Sequence, residues 1–86
     1  MATQLTKSVH TAAYKHFRAL LISERNKAGL TQVDLATRLG KHQSFVAKYE
    51  NGERRLDVVE FIDVTVAIGV VPASIVRRLK KTFSSR

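Results

Sequence analysis

GLTQVDLATRLGKHQSFVAKYENG, residues 29–52, is the stretch that decides the fold. Two short apolar patterns flank the joint Leu39-Gly40-Lys41-His42. Thr31 is placed to cap the first helix of the pair. Leu35, Ala36 and Leu39 line its inner side, and Gly40 supplies the positive φ of a sharp turn. Ala36 is small, which lets two helices approach closely. The second helix runs from about Gln43 to Glu50, and Asn51-Gly52 ends it. This is the arrangement of a helix-turn-helix.

The second helix separates two faces. With Gln43 set at zero and about 100° per residue, Ala47 falls near 40°, Ser44 near 100° and Lys48 near 140°. Val46, Tyr49 and Phe45 fall at roughly 300°, 240° and 200°. Glutamine can bond adenine N6 and N7, lysine can reach guanine O6 and N7, and alanine leaves room for close approach. Gln43, Ser44, Ala47 and Lys48 are therefore the candidate base-contacting residues. Periodicity by itself favours the plainer alternative, an ordinary amphipathic surface helix.

Three more helices complete an all-α chain. The first starts near Ser8 or Thr11 and places Val9, Ala13, Phe17, Leu20 and Leu21 on one face, with Gly29 as its stop. Asp57 caps the fourth, which turns Val58, Phe61, Ile62, Thr65 and Ile68 inward and ends at Gly69. Pro72 suits the first turn of the fifth, whose stripe is Ile75, Val76, Leu79 and Phe83. That stripe is the candidate dimer surface, or else it closes the monomer core. A strand competes only at Val64–Val71, where β-branched residues are dense. Residues 1–7 and 84–86 are expected to fray.

The 86 residues carry a formal charge of +8. All seven acids lie within 24–63, where seven bases balance them. The excess comes from Lys7, Lys15 and Arg18 at one end, and from Arg77, Arg78, Lys80, Lys81 and Arg86 at the other. Such a balance suits a polyanion, or simply a solvated surface. A chain this short is expected to form one domain with a small, marginal core, which favours oligomerisation. No cysteine is present and His10, His16 and His42 are far apart, so no metal or cofactor is expected. No apolar run approaches a membrane span, and the N-terminus lacks the apolar stretch of a signal peptide. A soluble cytoplasmic protein with no membrane role follows. Catalysis is not expected: Glu50 and Glu53 are not a convincing acid/base pair, no Ser-His-Asp arrangement is visible, and the glycines are joints.

Arg25 to Thr31-Gln32, then Leu35-Ala36, Leu39-Gly40, Gln43-Ser44, Val46 and Tyr49-Glu50-Asn51-Gly52, resembles the Xre/Cro-type helix-turn-helix family, which includes the lambdoid phage repressors. The likeness is ungapped over these residues, and looser over 17–80. It implies a five-helix, lambda-repressor-like bundle. It implies that Gln43 and Ser44 open the recognition helix and face the major groove with Lys48. Gln32 would bond phosphate and brace Gln43. Arg25 and Glu50 would form a structural ion pair. Asn51 would donate to phosphate, with Arg54 and Arg55 nearby; Thr31, Lys41 and His42 complete the phosphate-contacting candidates. His42 departs from the usual Ser or Thr cap, and is either a DNA contact or an exposed turn residue. Phe45 stands where a small polar residue is usual, and packs at the core edge or meets a thymine methyl. Glu24 is unexplained, and Val70-Val71 lacks the usual cap of the last helix.

The expectation is one domain over 1–86, with the helix-turn-helix at about 31–50 and a basic helix at about 72–83. Its function would be a sequence-specific, homodimeric, bacterial or phage-encoded repressor or autoregulatory controller on a pseudo-palindromic operator in double-stranded DNA. The alternatives are an antitoxin or other protein-interaction module with a toxin or regulator as partner, and a non-specific nucleic-acid-binding protein.

Overall fold

The computed structural model describes residues 11–84. They form α1 (Ala12–Lys27), α2 (Gln32–Leu39), α3 (Gln43–Glu50), α4 (Val58–Ile68) and α5 (Pro72–Ser84). There is no strand among the described residues: Val64–Ile68 continue α4, and left-handed Gly69 ends it before Pro72 opens α5. Ser8, Val9 and the expected fraying at 1–7 and 85–86 lie outside the described residues, and α5 includes Ser84. No single described helix is long and apolar enough to cross a membrane.

The caps follow from short polar side chains. Thr11 Oγ1 accepts the Tyr14 amide at 3.1 Å, starting α1. Thr31 and Asp34 bond each other's amides at 3.0 and 2.9 Å, a reciprocal capping box that starts α2. Asp57 and Glu60 do the same for α4. At α5 the Val71 carbonyl accepts the Ser74 amide at 3.0 Å.

α1 packs against α3, α4 and α5, while α2 packs against α3 and α4. Leu20, Leu21, Leu35, Ala36, Val46, Tyr49, Phe61, Val64, Ile68 and Ile75 meet in one buried cluster. Burial pushes the Tyr49 phenol well above its ordinary range.

Two apolar faces differ from the periodicity. On α4 the inward residues are Phe61, Val64, Thr65 and Ile68, while Val58 and Ile62 are 69% and 45% exposed. Both sets fit a helical stripe; which flank is covered depends on where neighbouring helices lie. On α5 the stripe is divided. Ile75 is fully buried and Leu79 packs against the core, whereas Val76 and Phe83 are exposed. Ile75 is therefore corrected from interface candidate to monomer core.

Polar contacts pin the helices together. The Tyr14 hydroxyl accepts the Leu56 amide at 2.9 Å, and Arg38 donates to the Ala67 carbonyl at 2.9 Å. Glu24 has its explanation here: Arg78 of α5 donates to it at 2.8 Å and holds its carboxyl below the usual value. Arg54 donates through both terminal nitrogens to Glu60 at 3.0 and 2.7 Å. These bonds, with the Asp57 amide, lower the Glu60 carboxyl from 4.5 to about 2. A depressed carboxylate stabilises the fold above its unfolded value and loses that contribution as pH falls toward its folded one. Stability is expected to drop between pH 4.5 and about 2. Glu60→Gln should cost about 1 kcal/mol at neutral pH and flatten that drop, as read by urea unfolding across pH.

Candidate nucleic-acid interface

The turn that presents α3 is built at Gly40. Its φ of 67° is left-handed, and no atom lies within 4 Å of where a Cβ would be, so conformation alone selects glycine there. The Lys41 amide donates back to the Ala36 carbonyl at 3.0 Å, closing the end of α2. His42 then caps α3: its Nδ1 accepts the Ser44 amide at 3.1 Å. Gln43 and Lys48 are exposed, Ser44 and Ala47 half-buried, and Val46, Tyr49 and Glu50 face inward.

Behind this face lies a continuous polar chain. The Glu50 side chain is 4% exposed, and the Arg25 guanidinium grips it in two-pronged fashion, Nε to Oε2 at 2.7 Å and Nη2 to Oε1 at 2.9 Å. Arg25 also donates to the Leu30 carbonyl at 2.8 Å. Gln32 Nε2 donates to Glu50 Oε1 at 2.9 Å, and Gln43 Nε2 donates to Gln32 Oε1 at 2.8 Å. The order is forced. A carboxylate only accepts, so Gln32 must turn its amino group inward and its carbonyl outward. Gln43 must then donate to that carbonyl. What remains on Gln43 is its carbonyl oxygen and one N–H, which complement the N6–H donor and N7 acceptor of an adenine edge in the major groove.

Arg18 belongs to the same construction. It donates to the Glu50 carbonyl at 2.8 Å, so α1 places Arg18 and Arg25 at the C-terminal end of α3, where cations are favoured. Its guanidinium lies 2.9 Å from the position of a Cβ on Gly52, whose φ is 79°; the close approach and the backbone both require glycine. Residue typing passed over Arg18. Its signal was the seven-residue spacing from Arg25, which puts both on one side of a helix.

The flanks are cationic. Lys41 and Arg54 sit over the Phe45 ring, 5.1 and 4.8 Å from its centroid. Phe45 packs edge-on against Tyr49 at 5.7 Å, which places it at the core edge. Thr31 is exposed, with its hydroxyl in the α2 cap. Asn51 is exposed, with Nδ2 3.4 Å from Glu53 Oε2. Arg54 is tied to Glu60, whereas exposed Lys48 and Arg55 make no ion pair among the described residues. Most nearby acids are engaged: Glu50 by Arg25, Glu60 by Arg54, Asp34 by Thr31. The outer surface of α3 and its flanks thus carries net positive charge around a patterned set of hydrogen-bonding side chains.

Comparison with known proteins agrees with this geometry. A helix-turn-helix family model matches residues 21–75. A solved XRE-family like protein from Pseudomonas syringae pv. tomato str. DC3000 is 47% identical, with 91% of this chain and 95% of that chain covered and a TM-score of 0.82. No curated protein matches the chain.

Removing Arg25 would leave Glu50 buried without its counter-charge. Arg25→Ala should cost about 3–5 kcal/mol in chemical denaturation, and Arg25→Lys should recover only part, because an ammonium cannot reproduce the two-pronged grip. A midpoint equal to wild type would show that the pair does not hold α1 to α3.

Proposed function

The chain belongs to the Xre-type helix-turn-helix family, and from that membership we propose that it is a sequence-specific transcriptional regulator acting as a homodimer. The observation that carries this reading is the relay from buried Glu50 through Gln32 to exposed Gln43. A surface helix that merely solvates the fold gains nothing from a fixed amide orientation; a helix that reads base edges does. Gln43, Ser44, Ala47 and Lys48 face the major groove. Gln32, Thr31, Lys41, His42, Asn51 and Arg55 track the phosphates and set the register, with Arg54 shared between phosphate and Glu60.

The dimer reading rests on exposed apolar side chains of α4 and α5. Val58, Val59, Ile62, Val66, Val76 and Phe83 are all exposed. A groove of about 450 Å³ runs between α1, α4 and α5, lined by Tyr14, Phe17, Phe61, Leu79, Val76 and Phe83 among others. A second copy set there would bring two recognition helices to successive major grooves, with half-sites about 10 bp apart. A dimer bound across a promoter would exclude polymerase, giving a cytoplasmic repressor or autoregulatory controller.

Selection of duplexes from a random pool at near-physiological salt should enrich an inverted repeat with that spacing. Gln43→Ala should lose about 1–3 kcal/mol on the best site and relax one base position, whereas Arg55→Ala should weaken all sequences alike. Identical behaviour of the two mutants would rule out readout at Gln43. Sedimentation should show a dimer that Val76→Asp converts to a folded monomer; a monomeric wild type would remove the homodimer and favour a protein partner on the α4–α5 face.

A further inference from the structure

The cap of α3 departs from the hydroxyl that the turn usually carries, and its geometry fixes more than a helix end. The Ser44 amide lies 3.1 Å from His42 Nδ1, and an amide N–H can only donate. Nδ1 must therefore present its lone pair, which leaves the ring proton on Nε2. Ser44 Oγ lies 3.0 Å from the same Nδ1. Because that nitrogen has no hydrogen to give, the contact is favourable only when the hydroxyl donates, sharing the lone pair with the amide. Ser44 is half-buried, and this contact turns its proton toward the imidazole. Only oxygen lone pairs remain for a ligand.

We propose that His42 is a specificity-determining residue that sets Ser44 as a hydrogen-bond acceptor toward the DNA, selecting a base amino group at the position Ser44 meets. This inference rests on the reading of α3 as the recognition helix. In the major groove the amino groups are adenine N6 and cytosine N4, while guanine and thymine offer only acceptors and adenine adds one at N7. A serine free to rotate would donate to an acceptor or accept from an amino group; the imidazole removes that freedom.

Protonation undoes the device. An imidazolium donates from both nitrogens, so Nδ1 can no longer accept from the Ser44 amide or hydroxyl, and the cap and the fixed hydroxyl proton are lost together. The preference at that position then disappears. Charged groups on the surrounding elements have their own partners. Arg18 and Arg25 of α1 bond Glu50, Asp34 bonds Thr31, Arg38 bonds the Ala67 carbonyl, and Lys41 lies over Phe45. Exposed Lys48 is the remaining charge of α3. None of them bonds the His42 ring, which leaves Ser44 as the group that responds to its state.

Two measurements test this separately. Long-range proton–nitrogen NMR on the free protein should show a neutral His42 ring protonated at Nε2; a ring protonated at Nδ1 would overturn the proposal without DNA. Duplex selection is then run with wild type, His42→Ser and Ser44→Ala at a pH where NMR shows the ring neutral. Wild type should prefer adenine or cytosine at one position in each half-site. Ser44→Ala should lose that preference, with affinity about tenfold lower. His42→Ser keeps a strong N-cap, so its melting temperature should stay near wild type while the same position becomes indifferent. At a pH where NMR shows the ring protonated, wild type should become indifferent at that position as well. An unchanged preference in His42→Ser, or on protonation, overturns the proposal. A wild type that enriches no sequence defeats the regulator reading itself, and readout at Ser44 with it.

Discussion

One buried carboxylate organises this molecule. Glu50 sits at the last turn of α3, almost wholly removed from water, and a charge in that position is tolerated only when its bonds are satisfied. Arg25 satisfies it from α1 and Gln32 from α2, while Arg18 takes the backbone carbonyl of the same residue. Two helices thus converge on the end of α3. The charge also dictates the direction of every hydrogen bond that leads away from it. A structural necessity in the interior is converted, through two glutamines, into a fixed donor–acceptor pattern at the surface.

The same principle shapes the electrostatics. The acids of the chain are largely consumed in holding it together: Glu24 between α1 and α5, Glu60 between α4 and the loop before it, Asp34 and Asp57 at helix starts. Glu24, Glu50 and Glu60 are paired with arginines, while Lys41, Lys48 and Arg55 stand exposed on α3 and its flanks and define the outer field there. A balanced count of charges over 24–63 therefore does not mean a balanced surface there. Each ion pair hides a base with its acid, so the cationic character of the interface comes from where folding places Lys41, Lys48 and Arg55.

Much of this was legible from residues 29–52, because the signals there are local. A left-handed glycine, a Thr-initiated capping box and a 3.6-residue period act within a single turn or helix, so spacing alone carries them. Glu24 and His42 were harder. Glu24 has a reason only because α5 returns Arg78 beside it, 54 residues later in the chain. His42 looks like a poor cap by residue type, yet an imidazole lone pair does the work of a hydroxyl oxygen once the ring is seated over Ser44. Arg18 was hidden for the same reason as Glu24: its acceptor is a backbone carbonyl of α3, and no residue-type pattern announces a carbonyl.

The amphipathic faces show where local information ends. Periodicity on α4 and α5 identifies a stripe but not its edges, since residues on either flank of a helix fit the same spacing. Which flank is buried depends on the neighbours, and these assign Val64 and Ile75 to the core while leaving Ile62, Val76 and Phe83 in contact with solvent. The sequence by itself determined the five helices, their stops, the Thr31 and Asp57 caps, and the outward set on α3, because those rest on interactions spanning a few residues. The tertiary structure alone decided which apolar side chains stay exposed, which acids are paired, and which way the amide of Gln43 points. Each of these depends on groups brought together from distant parts of the chain, where distance and direction, not spacing, set the energy.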